Sequence, residues 1–227
     1  MTIREEFLNV HRQRITEFLA DFYRGTSEGN LIDRLRTSGE SVIELPVDFE
    51  PLHLFGKEDV EGWEEKISGF DHVVLYHGTS TKFQDEILER GLEPRIKTGN
   101  GNFVGDLESQ PDSVYLGQLN YFGNIFDSVK SHAYNVAKKV GGLPLIVRAI
   151  VPLSDCLPDE DVKRATNGNQ SIVYGGTVRI KGAINPEFLF MHPQSEEALN
   201  DPYQTKIQQF TFYDFHKTQS SPSLSTK

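Results

Sequence analysis

The chain turns on one stretch, Val73-Val74-Leu75-Tyr76-His77-Gly78-Thr79-Ser80-Thr81-Lys82-Phe83-Gln84. Its first four residues are apolar and partly β-branched, which suits a strand. A His-Gly-Thr-Ser turn follows. Thr81 and Gln84 stand at capping-box spacing, with Thr81 as the N-cap. Phe83, Ile87 and Leu88 give the next helix a buried face, and Gly91 stands where a left-handed C-terminal cap is expected. The segment reads as strand, tight turn, helix, stop.

Toward the C-terminus, residues 95–112 are rich in Gly, Asn and acids and read as a long loop. A short strand is expected at 113–116, then a turn-rich insertion at 117–127 carrying Tyr121, Phe122 and Phe126. The spacing predicts a helix over 128–140, ended by Gly141-Gly142. Residues 144–153 form an apolar strand with only Arg148 charged. An acidic turn at 156–161 precedes strands at 170–174 and 177–184, separated by Gly175-Gly176. Shorter strands are expected at 186–190 and 210–215.

Toward the N-terminus, Ile3, Phe7, Val10, Phe18 and Phe22 recur at helical spacing, with Leu8, Ile15 and Leu19 widening the stripe. Gly25 and the polar cluster 27–30 stop this helix. A short helix at 31–36, a strand at 41–47 and a weakly helical segment at 57–67, anchored by Val60 and Trp63, follow. Many short strands with few helices between them predict an α+β domain with a mostly antiparallel or mixed sheet. The chain divides into an N-terminal helical region at 1–70, a domain at 71–216 and a disordered tail at 217–227.

The chain has 227 residues, of which 37% are hydrophobic, enough for a substantial core. No apolar run approaches the roughly 18 residues of a membrane-spanning helix. The single cysteine, Cys156, excludes an internal disulfide framework and a cysteine-built zinc site. His132, His192 and His216 have no partner at ligand spacing, so no metal is expected. The polar residues 1–5 lack the apolar core of a secretory signal, so a cytoplasmic setting is expected. A net charge of −10 repels phosphate backbones on average, which favours a protein partner over nucleic acid.

Three motifs carry the chemistry. At the first strand's end, Gly78 lets a ligand approach the backbone, and its N–H and C=O suit a planar carboxamide. Thr79 or Ser80 can bond a ribose, and His77 can donate to a sugar hydroxyl. The second motif is Ser113-Val114-Tyr115-Leu116-Gly117. The third is Ser128-Val129-Lys130-Ser131-His132-Ala133-Tyr134, a helix with a small-residue face. Tyr115 and Tyr134 can clamp a flat ring by offset stacking.

On these motifs, residues 72–190 resemble the NAD-binding core of the ADP-ribosyltransferase superfamily. The His-Tyr-Glu branch, which includes diphtheria toxin and the poly-ADP-ribose polymerases, is the nearest in style. The resemblance implies a split mixed or antiparallel sheet and NAD as co-substrate. In it His77 and Gly78 match the NAD-binding pair, Tyr115 the second-motif tyrosine, and Ser131 and Tyr134 the small-residue helix whose tyrosine stacks on nicotinamide. It implies release of nicotinamide through an oxocarbenium-like transition state and attack by a macromolecular acceptor. The superfamily's later-strand glutamate falls on Val173 or on Thr177. Thr177, or else Gln170, is the stand-in, which makes His77, Tyr115 and Thr177 the expected catalytic set.

Two other readings accompany this mono-ADP-ribosyltransferase. The missing glutamate fits a silent module that binds NAD, ADP-ribose or a protein. RNA 2′-phosphotransferases resemble the same core, lack the glutamate and use arginines, for which Arg95, Arg148 and Arg179 are available. Cys156 lies beside acidic groups and is a poor nucleophile.

Overall fold

A computed structural model describes residues 3–44, 64, 67–98, 110–118 and 128–191, with side chains of the first helix from residue 12. In chain order these form helices α1 (Ile3–Phe22) and α2 (Ser27–Thr37), and strands β1 (Val42–Glu44) and β2 (His72–Ser80). A 3₁₀ turn (Thr81–Phe83), α3 (Gln84–Arg90), α4 (Arg95–Thr98), β3 (Ser113–Gly117), α5 (Ser128–Val140) and β4 (Pro144–Pro152) follow. β5 (Cys156–Pro158), α6 (Gly168–Gly175), β6 (Thr177–Lys181) and β7 (Leu189–Met191) complete the described elements. The expectations at 57–63, 119–127 and 192–227, which include Trp63, Tyr121, His192 and His216, lie outside the described residues.

The strands form one seven-stranded sheet in the order β5-β6-β3-β2-β4-β7, with β1 added to β2. Every pairing is antiparallel except β1 with β2. The architecture is mixed α and β, in keeping with the α+β expectation. β2 and β4 pair along their full length, from His72↔Pro152 to Ser80↔Pro144. Val73, Leu75, Leu145, Val147, Ala149 and Ile150 are fully enclosed there. Burial of each large aliphatic side chain favours folding by about 1.5–3 kcal/mol.

The other edge of β2 is divided. β1 lies along residues 72–74 and β3 meets the strand at Tyr76↔Gly117. From His77 to Ser80 that edge has no strand partner among the described residues.

The first helix ends as expected near Phe22, and among its described residues Ile15 and Leu19 are buried apolar side chains. Thr16 ties it to the sheet, bonding the Arg12 carbonyl at 2.8 Å and receiving the Val42 N–H at 3.0 Å. The polar cluster after Gly25 starts α2 rather than merely ending α1. Thr26 caps it, taking the Gly29 N–H at 3.1 Å. Ile15, Leu19, Tyr23 and Ile32 share one hydrophobic core with Leu75 and Ile150.

Three local expectations are corrected. His77-Gly78-Thr79-Ser80 is not a turn but the last part of β2, because β4 supplies a backbone partner for each residue. The cap after it is Ser80, which takes the Lys82 N–H at 3.2 Å, while Thr81 takes the Leu143 N–H at 2.9 Å. Residues 170–174 are helix α6 rather than a strand. Asn167 caps this helix and Gly176, at φ +70°, closes it. These two caps outweigh the β-branched pair Ile172-Val173. Gly141 and Gly142 do end α5, at φ +92° and +81°.

Candidate functional site

The site is built where β3 leaves β2. His77 is half-buried, and its Nδ1 lies 2.9 Å from the Tyr115 carbonyl oxygen. A carbonyl only accepts, so Nδ1 carries the hydrogen, and in the neutral ring Nε2 is left as an acceptor. Burial holds the His77 pKa below its ordinary value, against the pull of that carbonyl. The ring is therefore uncharged at neutral pH. It can accept from a sugar hydroxyl through Nε2, the reverse of the donor role expected from sequence.

Gly78 is buried beneath α5. A Cβ there would lie 2.1 Å from the Val129 carbonyl oxygen and 2.8 Å from the Ala133 nitrogen. The close approach that this glycine allows is thus to a helix backbone, not to a ligand over its face. On the edge of β2 away from β4, Gly78 has no strand partner among the described residues. Thr79 is buried. Ser80 is fully enclosed, donating to the Gly141 carbonyl at 2.6 Å besides capping the turn, so its hydroxyl does not face a site.

Tyr115 lies half-buried on β3, paired with Arg179 of β6. Its hydroxyl donates to Glu160 Oε2 at 2.7 Å and receives the Gln110 N–H at 2.6 Å. Burial raises the phenol's pKa, and Glu160 raises it further. Arg179 Nε lies 2.7 Å from Glu160 Oε1, an ion-pair contact not aligned as a hydrogen bond. Arg179 Nη1 also donates to Ser113 Oγ at 3.4 Å. The sequence places Glu160 in the acidic turn at 156–161, outside the expected catalytic set. It does follow β5 in a turn, but the pairing of β5 with β6 brings its carboxylate to Tyr115. The available signal was an acidic residue just after the short run 156–158.

On α5, Val129, Ala133, Val136 and Ala137 face the sheet, and Ser131 is half-buried. Tyr134 is 52% exposed and faces solvent, because the helix turns its small-residue face inward. The expected clamp of Tyr115 and Tyr134 is therefore not formed. His132 takes the place beside the site instead, its ring centroid 6.0 Å from that of His77. Burial and the neighbouring His77 push its pKa down to about 4.

Thr177 opens β6 opposite Gly117, half-buried, and its carbonyl receives the Ser171 hydroxyl at 2.7 Å. Gln170 is held away on α6, its Oε1 taking the Thr166 N–H at 2.9 Å and its Nε2 donating to Glu64 at 3.3 Å. Arg148 is buried against Glu28 at 2.7 Å.

No group of three or more His, Cys, Asp or Glu among the described residues is placed to hold a metal ion. None of the described helices is long and apolar enough to cross a membrane. The arrangement that emerges is an uncharged imidazole at an open strand edge, beside a phenol tied to a glutamate–arginine pair. Compared with known proteins, the chain matches no protein-family model and no curated protein sequence.

Proposed function

We propose that the protein is an NAD-dependent mono-ADP-ribosyltransferase with an ADP-ribosyltransferase-like split sheet, acting on a protein acceptor in the cytoplasm. One observation carries the reading: β3 pairs with β2 only at Tyr76↔Gly117, and just beyond that point the His77 imidazole bonds the Tyr115 carbonyl at 2.9 Å. That geometry supports a dinucleotide lying along the open edge of β2. His77 Nε2 accepts from a ribose hydroxyl, and the Gly78 backbone faces the carboxamide from the strand edge. The bond from ribose C1″ to the nicotinamide nitrogen breaks with its electron pair leaving on nicotinamide, and a nucleophilic acceptor atom bonds C1″ with its own lone pair and releases its proton to solvent. The Glu160 carboxylate, which Tyr115 hydrogen-bonds, is the group that offsets the developing positive charge. It takes the place assigned from sequence to Thr177.

The test is nicotinamide release and labelled-NAD transfer by wild type and His77→Ala. A loss of about tenfold or more in the variant is expected, the worth of one well-placed hydrogen bond. Equal rates in a folded variant overturn the role of His77, and no release by wild type overturns the enzyme.

A second reading, an NAD- or ADP-ribose-binding module without turnover, is favoured by the exposed Tyr134 and by the charge of Arg179 offsetting that of Glu160. Calorimetric NAD binding without nicotinamide release selects it. The phosphotransferase reading draws no such support, since the Arg148 and Arg179 guanidinium groups are engaged by glutamates.

A further inference from the structure

Five polar side chains from five elements meet under the N-terminal helices: Tyr23 at the end of α1, Glu28 of α2, Glu44 of β1, Tyr76 of β2 and Arg148 of β4. Glu28, Glu44 and Arg148 are only 5%, 4% and 4% exposed. The register places Glu44, Tyr76 and Arg148 on one face of the sheet. The Tyr23 hydroxyl donates to Glu44 Oε2 at 2.9 Å, and the Tyr76 hydroxyl donates to Glu44 Oε1. Arg148 donates from Nη1 to Glu28 Oε2 at 2.7 Å, and its guanidinium carbon lies 4.7 Å from the Tyr23 ring centre and 5.6 Å from that of Tyr76.

The charges do not balance. One guanidinium faces two carboxylates, so full ionisation leaves a net negative charge in a site without water's screening. Glu44 has both oxygens occupied by hydroxyl donors. Glu28 uses one oxygen, and its Oε1 has no hydrogen-bond partner among the described residues. Glu28 is the member with room for a proton.

We propose that this cluster is a proton-dependent latch that holds α2 and β1 on the sheet and loosens as pH rises through neutrality. The groups facing Glu28 are Arg148 from β4, Glu44 from β1, Tyr23 from α1 and Tyr76 from β2. Burial pushes the Glu28 carboxyl up to about 7, Arg148 pulls it down, and Glu44 adds to the rise. Its place in the first turn of α2 favours the charged form but is a smaller effect than burial. A carboxyl raised on folding contributes stability that is complete below its unfolded value of 4.5 and lost as pH climbs to about 7. Because Tyr76 directly precedes His77, the latch acts on the strand that carries the candidate site.

Amide hydrogen exchange of the full chain tests this at pH 5.5 and 8, with the intrinsic pH effect on exchange removed. Amides of α2 and β1 are expected to lose about tenfold in protection at the higher pH, relative to those of α6. Glu28→Gln, which mimics the protonated carboxyl, is expected to remove that difference. Equal pH responses of α2 and α6 in wild type overturn the latch, whether or not the variant folds. A response that survives unchanged in Glu28→Gln overturns the assignment to Glu28.

Discussion

The Tyr115 hydroxyl and the Glu160 carboxylate meet at 2.7 Å, joining strand β3 to the turn after β5. Removing the carboxylate in Glu160→Ala leaves the phenol without its acceptor and the partly buried Arg179 without its counter-charge. A loss of about 1–2 kcal/mol is expected in urea denaturation. If the proposed transfer reaction is correct, nicotinamide release falls further than stability alone explains, and Glu160→Gln restores most of the stability but not the rate.

Gly78 is fixed by the helix above it. Gly78→Ala places a methyl group 2.1 Å from the Val129 carbonyl, and neither backbone can yield without moving α5. A destabilisation of about 3 kcal/mol is expected, read as a lower thermal midpoint. An unchanged midpoint shows that α5 does not rest on β2 as described.

Ser80 separates structural from binding roles. Its hydroxyl caps the turn and bonds the Gly141 carbonyl at 2.6 Å, so Ser80→Ala is expected to cost about 1–2 kcal/mol. If the protein binds NAD as proposed, the folded variant is expected to keep the wild-type affinity. Affinity lost without a change in stability assigns the hydroxyl to the ligand instead.

His132 gives an acid-side signature. Its ordinary pKa of 6.5 is pushed down to about 4 in the folded protein. The unfolded chain therefore takes up a proton first, and this group's contribution to stability is present above 6.5 and lost as pH falls toward 4. Glu28 acts with the opposite sign over an overlapping range, so each is read as the difference between wild type and its own variant. His132→Gln is expected to flatten the fall in denaturation midpoint between pH 6.5 and 4.5; parallel curves refute the shift.

Cys156 is buried, and burial pushes its thiol up to about 12, with Asp155 adding to the rise. The native protein is expected to resist alkylation at pH 8 for hours and to react within minutes in urea. Rapid reaction of the native form shows that β5 opens locally.

Much of the sheet was legible from the sequence because its strands are apolar and short. Residues 144–153 form β4 within one residue, and 113–116 form β3 within one. The helix face of Ile15 and Leu19 and the paired stop at Gly141-Gly142 follow from periodicity and backbone freedom. What failed depended on partners remote in sequence. Nothing in His77-Gly78-Thr79-Ser80 tells that β4 pairs all four, and β-branched Ile172-Val173 reads as strand until the Asn167 and Gly176 caps are weighed. Of the candidate site, the sequence points to His77, Gly78 and Tyr115 but not to Glu160 or His132, because a loop carboxylate and a helix imidazole acquire neighbours only through the fold. Tyr134 failed for a related reason: the helix turned its smaller residues to the sheet.

The long pairing of β2 with β4 sets an order on synthesis. A nascent chain on the ribosome exposes β2 well before Pro144–Pro152 has been translated, and until then its apolar strand lacks its main partner. Truncated chains ending ahead of Pro144 are thus expected to accumulate in inclusion bodies or on chaperones. Those reaching past Met191 include every strand of the described sheet.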